Sequence, residues 1–300
     1  MDGNGLFAAH AAMLEDVEKK DKKEVFNWNW TVDIPASDLE RVEMTDVTAV
    51  AAQWRQPNPE PDMYFTHAQY YGDGIQHIVA ELKDKPTSNR ALYSLLAQKD
   101  ISNSGDNPIP SFLTFQCSIE EGILYCTATF RALEVSNFLR INLEEIRQNL
   151  VEIYTKLPAI EKVRLHIFAF HAYVRSVPAA ALRRPKIDVI FLPKLLILMQ
   201  KGDVRELDML LGELAHSTTA VSEVGLATLL DIFKMEKEAN LHATFESKRG
   251  LLVPQLTKAV HACKDLALSR KGASRGTHTA GKINAFQTAV NNIRETLLAD

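Results

Sequence analysis

The feature that most limits what this chain can fold into is a change of hydrophobic period near residue 195. Before it, strand-like alternation and helical spacing are interleaved. After it only helical spacing remains, over 203–217, 221–239, 251–271 and 282–299. The pattern predicts a mixed α/β (α+β) body followed by a helical C-terminal extension. The boundaries expected are an N-terminal helix or arm over 1–23, the body over 24–195 and the extension over 196–300. A chain of 300 residues that is 46% hydrophobic can fill a core of that size.

Within the body, "EVFNWNWTVDIP" (24–35) alternates like a strand. Residues 37–54 lean helical, with Ser37 and Glu40 spaced as a capping box, and a proline-punctuated loop covers 55–63. Ile75, Ile78, Val79 and Leu82 mark one helical face, and a strand is expected over 90–97. A hairpin follows over 112–131, turning at "EEG". Strict alternation sets Leu113, Phe115, Cys117 and Ile119 on one side and Phe112, Thr114, Gln116 and Ser118 on the other. Leu124, Cys126, Ala128 and Phe130 share a face on the return strand. A helix is expected from Leu143, then strands over 163–174 and 186–192.

Several function classes lose support at this level. A net charge of −4 leaves no electrostatic footprint for duplex nucleic acid or an anionic membrane. No apolar run reaches the roughly 18–20 residues of a membrane span, and the first residues do not read as a secretion signal. Three widely spaced cysteines, Cys117, Cys126 and Cys263, suit reduced thiols in a cytoplasmic protein. Gly276-x-x-x-x-Gly281-Lys282 is a near-miss to a phosphate loop, but Ile283 supplies no hydroxyl for magnesium. No metal-ligand spacing occurs among the nine histidines.

The residues that could carry chemistry each admit a plainer reading. Ser111 follows Ile109-Pro110, where the stiffened chain could hold a nucleophile, line a pocket or simply turn. Arg131 closes the hairpin, as a ligand-binding guanidinium or a surface ion-pair partner. Asn142 could read a base, or cap the helix that follows it. His171 and Tyr173 lie two apart on one strand face, as a site or as a satisfied core pair. Cys117 and Cys126 fit buried small hydrophobes.

Taken in order, Arg90 in "TSNRALYSLL", "PIPS" ending at Ser111, Gln116, then Arg131 and Glu134 in "FRALEV", Asn142 before a helix, and "FHAY" with His171 and Tyr173 resemble the thymidylate synthase family, which includes the pyrimidine nucleotide hydroxymethylases. The resemblance covers about residues 64–195. It implies a pyrimidine deoxynucleotide site like that for dUMP. Arg131 would hold the 5′-phosphate, Arg90 would reach it from the partner of a homodimer, and His171 with Tyr173 would bind the 3′-hydroxyl. Asn142 would read the uracil edge, with Gln116 and Glu134 also at the site. Both guanidiniums would then face a ligand rather than carboxylates.

The departures from the family pattern point away from its usual reaction. Ser111 stands in place of the catalytic cysteine, and a hydroxyl is a far poorer nucleophile for conjugate addition at C6 without an adjacent base. Phe112, Ala132 and Asn89 replace a histidine, a phosphate-binding serine and an arginine, and Glu134 replaces an aspartate. The family's N-terminal glutamate region and folate-capping C-terminus have no counterpart, so no cofactor, folate included, is expected. The expectation is a nucleotide-binding relative without folate-dependent methylation. The alternatives are an active C5 methyl- or hydroxymethyltransferase with an altered nucleophile, and a non-catalytic structural or partner-binding protein whose contacts lie on residues 200–300.

Overall fold

The computed structural model of the chain describes residues 5–103, 108–175, 183–217, 220–235, 239–272 and 277–299. The chain divides into two units, one of Met1–Glu60, Phe65–Ser104 and Ile109–Ala179, the other of Pro61–Tyr64, Gly105–Pro108 and Ala180–Asp300. The architecture is mixed α/β, with every named strand in the first unit and helices alone in the C-terminal part.

The first unit runs α1 (Leu6–Glu18), β1 (Glu24–Pro35), α2 (Thr48–Trp54), α3 (Ala68–Tyr71), α4 (Gly74–Asp84), β2 (Leu92–Ser94), α5 (Gln98–Asn103), β3 (Phe112–Glu120), β4 (Ile123–Phe130), β5 (Leu133–Glu134), α6 (Phe138–Lys156) and β6 (Lys162–Tyr173). Its sheet has the order β1-β6-β4-β3-β2, with β5 beside β6. Only β4/β6 and β5/β6 are parallel. A parallel neighbour requires a crossover, and α6 supplies it. One sheet face, with Leu124, Cys126, Ala128, Phe130, Val163, Leu165 and Ile167, is 0–2% exposed, as are Leu143, Ile146 and Leu150 of α6. On the other face Tyr125, Thr127, Thr129, His166, Phe168 and Phe170 are not buried, and Phe170 is 55% exposed.

Three sequence expectations change. The hairpin turns on Glu121 and Gly122, both at positive φ, as a two-residue loop demands. At the other end of β3, however, the register shifts between Phe112 and Thr114. This bulge inverts the alternation, so Phe112, not Leu113, joins Phe115 and Cys117 in the core. α6 starts five residues before Leu143, so Asn142 lies inside the helix and Asn137 is the N-cap. Residues 186–192 are not a strand: α7 (Lys186–Val189) follows Pro185, and Leu192 opens the next helix with a proline in its first turn. A short apolar run does not choose between strand and helix, and the two prolines favour helix starts. The N-terminal segment is a helix with Leu6, Ala9, His10, Met13 and Val17 buried.

The second unit contains α7, α8 (Leu192–Lys201), α9 (Val204–His216), α10 (Val224–Lys234), α11 (Ala243–Glu246), α12 (Arg249–Gly272) and α13 (Thr277–Leu298). Its own core includes Leu195, Leu211, Leu226, Phe245, Leu256 and Phe286. Gly202 ends α8 in the left-handed conformation at φ 74, and the Asp203 side chain then accepts from the Glu206 N–H at the start of α9. Gly276 of the phosphate-loop near-miss, like all of residues 273–276, lies outside the described residues. Gly281 and Lys282 lie within α13, and Lys282 pairs with Asp265. Among the described residues no helix is long and apolar enough to cross a membrane.

Candidate functional site

The candidate site forms where β3 begins and β4 ends. The Arg131 N–H donates to the Ser111 carbonyl at 2.9 Å, closing the hairpin one step beyond the Phe112–Phe130 pair. The guanidinium turns back along the preceding segment. Its Nε donates to the Pro110 carbonyl (3.1 Å) and an Nη to the Ile109 carbonyl (3.0 Å). Both acceptors are neutral, and Arg131 makes no ion pair among the described residues. Partial burial draws its pKa below the usual arginine value, with the Tyr173 hydroxyl acting in the opposite sense. The residue is exposed, and a cation whose only partners among the described residues are neutral carbonyls is electrostatically suited to an anion.

Parallel pairing brings the end of β6 alongside. Leu133 lies opposite Ala172 and Glu134 opposite Tyr173. Glu134 is 2% exposed, and its carboxylate accepts from the backbone N–H groups of Ser136, Asn137 and Phe138 at 2.8–3.0 Å and from Arg175 at 3.3 Å. These contacts make it an anionic cap on the start of α6. One turn into that helix, Asn142 donates through Nδ2 to the Phe138 carbonyl (2.8 Å) and is 5% exposed. His171 stacks between Phe26 (4.5 Å) and Tyr173 (5.1 Å), with Nε2 3.4 Å from Glu24.

Ser111, Arg131, Glu134 and Tyr173 thus gather at one end of the sheet, with Asn142 on the helix capped there. Gln116 and Arg90 do not join them. Gln116 pairs with Leu92, and its amide donates to the Asn89 carbonyl (2.8 Å). Five residues of strand, about 17 Å at ~3.4 Å per residue, separate it from Ser111. Arg90 lies beyond it, with its side chain 83% exposed and Nε 3.3 Å from Glu81. Within one chain Arg90 therefore faces water and a carboxylate.

A second polar group escaped the sequence reading. His67 Nδ1 and Glu145 Oε2 are 2.7 Å apart, with side chains 4% and 0% exposed. Their 78-residue separation gives no local signal. Only the run of polar residues in a helix that must bury its inner face hints at it, since Glu144, Glu145, Arg147 and Asn149 are all buried. Among the described residues no His/Cys/Asp/Glu group could hold a metal ion.

No protein-family model matches the chain, and no curated protein matches it significantly.

Proposed function

We propose that the first unit binds a pyrimidine deoxynucleotide such as dUMP, as a divergent thymidylate-synthase-like protein that does not carry out folate-dependent methylation. The observation that carries this reading is Arg131, an exposed guanidinium whose only partners among the described residues are neutral carbonyls, set beside Ser111 and Tyr173. A planar fork of this kind suits phosphate. Asn142 supports base reading, because its place inside α6 removes the capping role. His171 and Tyr173, stacked on one another, suit a sugar edge. Glu134 serves by holding the start of α6, since its carboxylate is occupied by four backbone N–H groups.

The proposal includes a homodimer in which Arg90 acts across the interface. Arg90 is too far along the sheet to share an anion with Arg131 of its own chain, and the uncovered sheet face with Phe170 and Tyr125 is apolar enough to pair with a second copy. A reducing cytoplasmic setting also belongs to the proposal, supported by three free cysteines. The reading is tested by thermal shift with dUMP, dTMP and dCMP. A ligand that binds only the native state raises the melting temperature, and Arg131→Ala should remove that rise.

A second reading is favoured by the helical unit. Met209, Leu251 and Leu268 are 60–64% exposed there, which suits a protein partner on residues 200–300. Charge-introducing substitutions at these three positions (Met209→Glu, Leu251→Glu and Leu268→Glu) would abolish such an association and leave the nucleotide-induced shift unchanged.

A further inference from the structure

Two of the chain's three cysteines, Cys117 and Cys126, belong to the hairpin of β3 and β4. They lie directly opposite one another in the antiparallel register, with their Sγ atoms 3.5 Å apart. The Cys117 N–H donates to the Ala91 carbonyl (2.8 Å), away from β4, so the two residues form a non-hydrogen-bonded pair. Cα atoms in such a pair are about 4.5 Å apart, within the roughly 4.4–6.8 Å that a disulfide spans. An S–S bond of about 2.05 Å therefore needs rotation of two side chains and no change of strand register.

The sequence favours this pairing before the core closes. Eight residues separate the cysteines, and Glu121-Gly122 turns the chain at their midpoint. Closing so short a loop costs little chain entropy. Folding then changes access to the thiols. In the folded protein the two residues are 1% and 2% exposed, and burial first, then the adjacent Cys117, holds the Cys126 thiol well above the usual cysteine pKa. Thiols sealed in this way are inert to disulfide exchange. In the unfolded chain both meet water and have ordinary acidity.

We propose that Cys117 and Cys126 are a folding-gated disulfide site: a small disulfide such as oxidised glutathione links them while the hairpin forms, and the completed core then seals the bond from reductants. One cysteine thiolate attacks the glutathione disulfide and releases one glutathione thiol. The second cysteine displaces the other glutathione and forms the cross-strand S–S bond. The two cysteines lose two electrons and two protons, and the glutathione disulfide gains them. A chain folded in a reducing setting keeps both thiols, so the pair records the redox poise at folding. The inference does not depend on the nucleotide reading.

The test refolds the full chain from urea, either with a mixture of oxidised and reduced glutathione or with reduced glutathione alone. Denaturing alkylation and peptide mass spectrometry follow. With the mixture, the tryptic peptide 100–131 should be two hydrogens lighter in most molecules, with Cys263 alkylated. Cys117→Ala should abolish that loss. Protein already folded in reduced glutathione and then given the same mixture should form the bond at least roughly tenfold more slowly. The linked protein should regain the circular dichroism of the reduced protein and resist dithiothreitol until urea is added. Alkylation of both hairpin cysteines after refolding in the mixture overturns the inference, as does linkage of either to Cys263 instead. Equally fast oxidation of the folded protein overturns the gate. Linked chains that never regain the reduced protein's circular dichroism overturn the native register as the place of the bond.

Discussion

Arg131 and Ser111 are held as one unit: the Arg131 N–H donates to the Ser111 carbonyl at 2.9 Å, and the guanidinium of Arg131 grips the two carbonyls immediately before that serine. The arginine thus fixes the segment that presents Ser111 and keeps its own fork at the end of the sheet. Arg131→Ala should lose the dUMP-induced rise in melting temperature and about 1 kcal/mol of stability. Arg131→Lys should keep most of the stability but weaken dUMP binding at least tenfold, because an ammonium cannot reproduce the planar fork. Titration calorimetry with urea unfolding separates the two effects.

The Glu134 cap makes a prediction about folding. Glu134→Ala leaves buried N–H groups at the start of α6 without an acceptor and should cost about 2–3 kcal/mol. Glu134→Gln retains an acceptor oxygen and should cost less than half as much. Urea midpoints for the two variants check the ordering.

Along α6, Arg147 donates twice to Glu144 (2.7 and 2.8 Å) and once to the Leu39 carbonyl (2.6 Å), with both side chains buried. Removing one member strands the other charge. Arg147→Ala is expected to lose about 3–5 kcal/mol, and the double variant Glu144→Leu with Arg147→Met much less than the sum of the single changes. A double-mutant cycle in urea measures the difference.

Asp188 gives a pH prediction for the helical unit. Burial pushes its carboxyl up to about 6, opposed by the Gly225 N–H that donates to Oδ1 at 2.8 Å, while Oδ2 is buried and unpaired. A carboxyl whose folded pKa is raised favours the folded state when protonated. Stability from this group is therefore lost as pH rises from the unfolded value near 3.8 through about 6. Asp188→Asn should leave stability unchanged below pH ~4 and raise it above pH ~6 by up to about 3 kcal/mol. Melting curves across that range check it.

How far these features were legible in the sequence follows from how local their signals are. β1, β4, β6 and the long helices of the second unit are set by unbroken periodicity, and the hairpin turn by Glu121-Gly122. Strict alternation puts Phe112 on the face opposite to the one it occupies, because a bulge adds one residue without any local mark. Residues 186–192 read as a strand yet form helix, because seven apolar-rich residues fit either period. The order of Ser111, Arg131, Glu134 and Tyr173 was visible, and antiparallel and parallel pairing then brings them to one end of the sheet. His67 and Glu145 were not, because only the tertiary fold brings residues 78 apart into contact.

The central claim is that Arg131 holds the phosphate of a pyrimidine nucleotide, and a crystal structure of the protein soaked with dUMP tests it most directly. The account predicts a phosphate on the Arg131 guanidinium, with Arg90 of the partner subunit on its other side and the sugar against His171 and Tyr173. An Arg131 that stays free of nucleotide at millimolar dUMP, with the guanidinium still bound only to the carbonyls of Ile109 and Pro110, would contradict it.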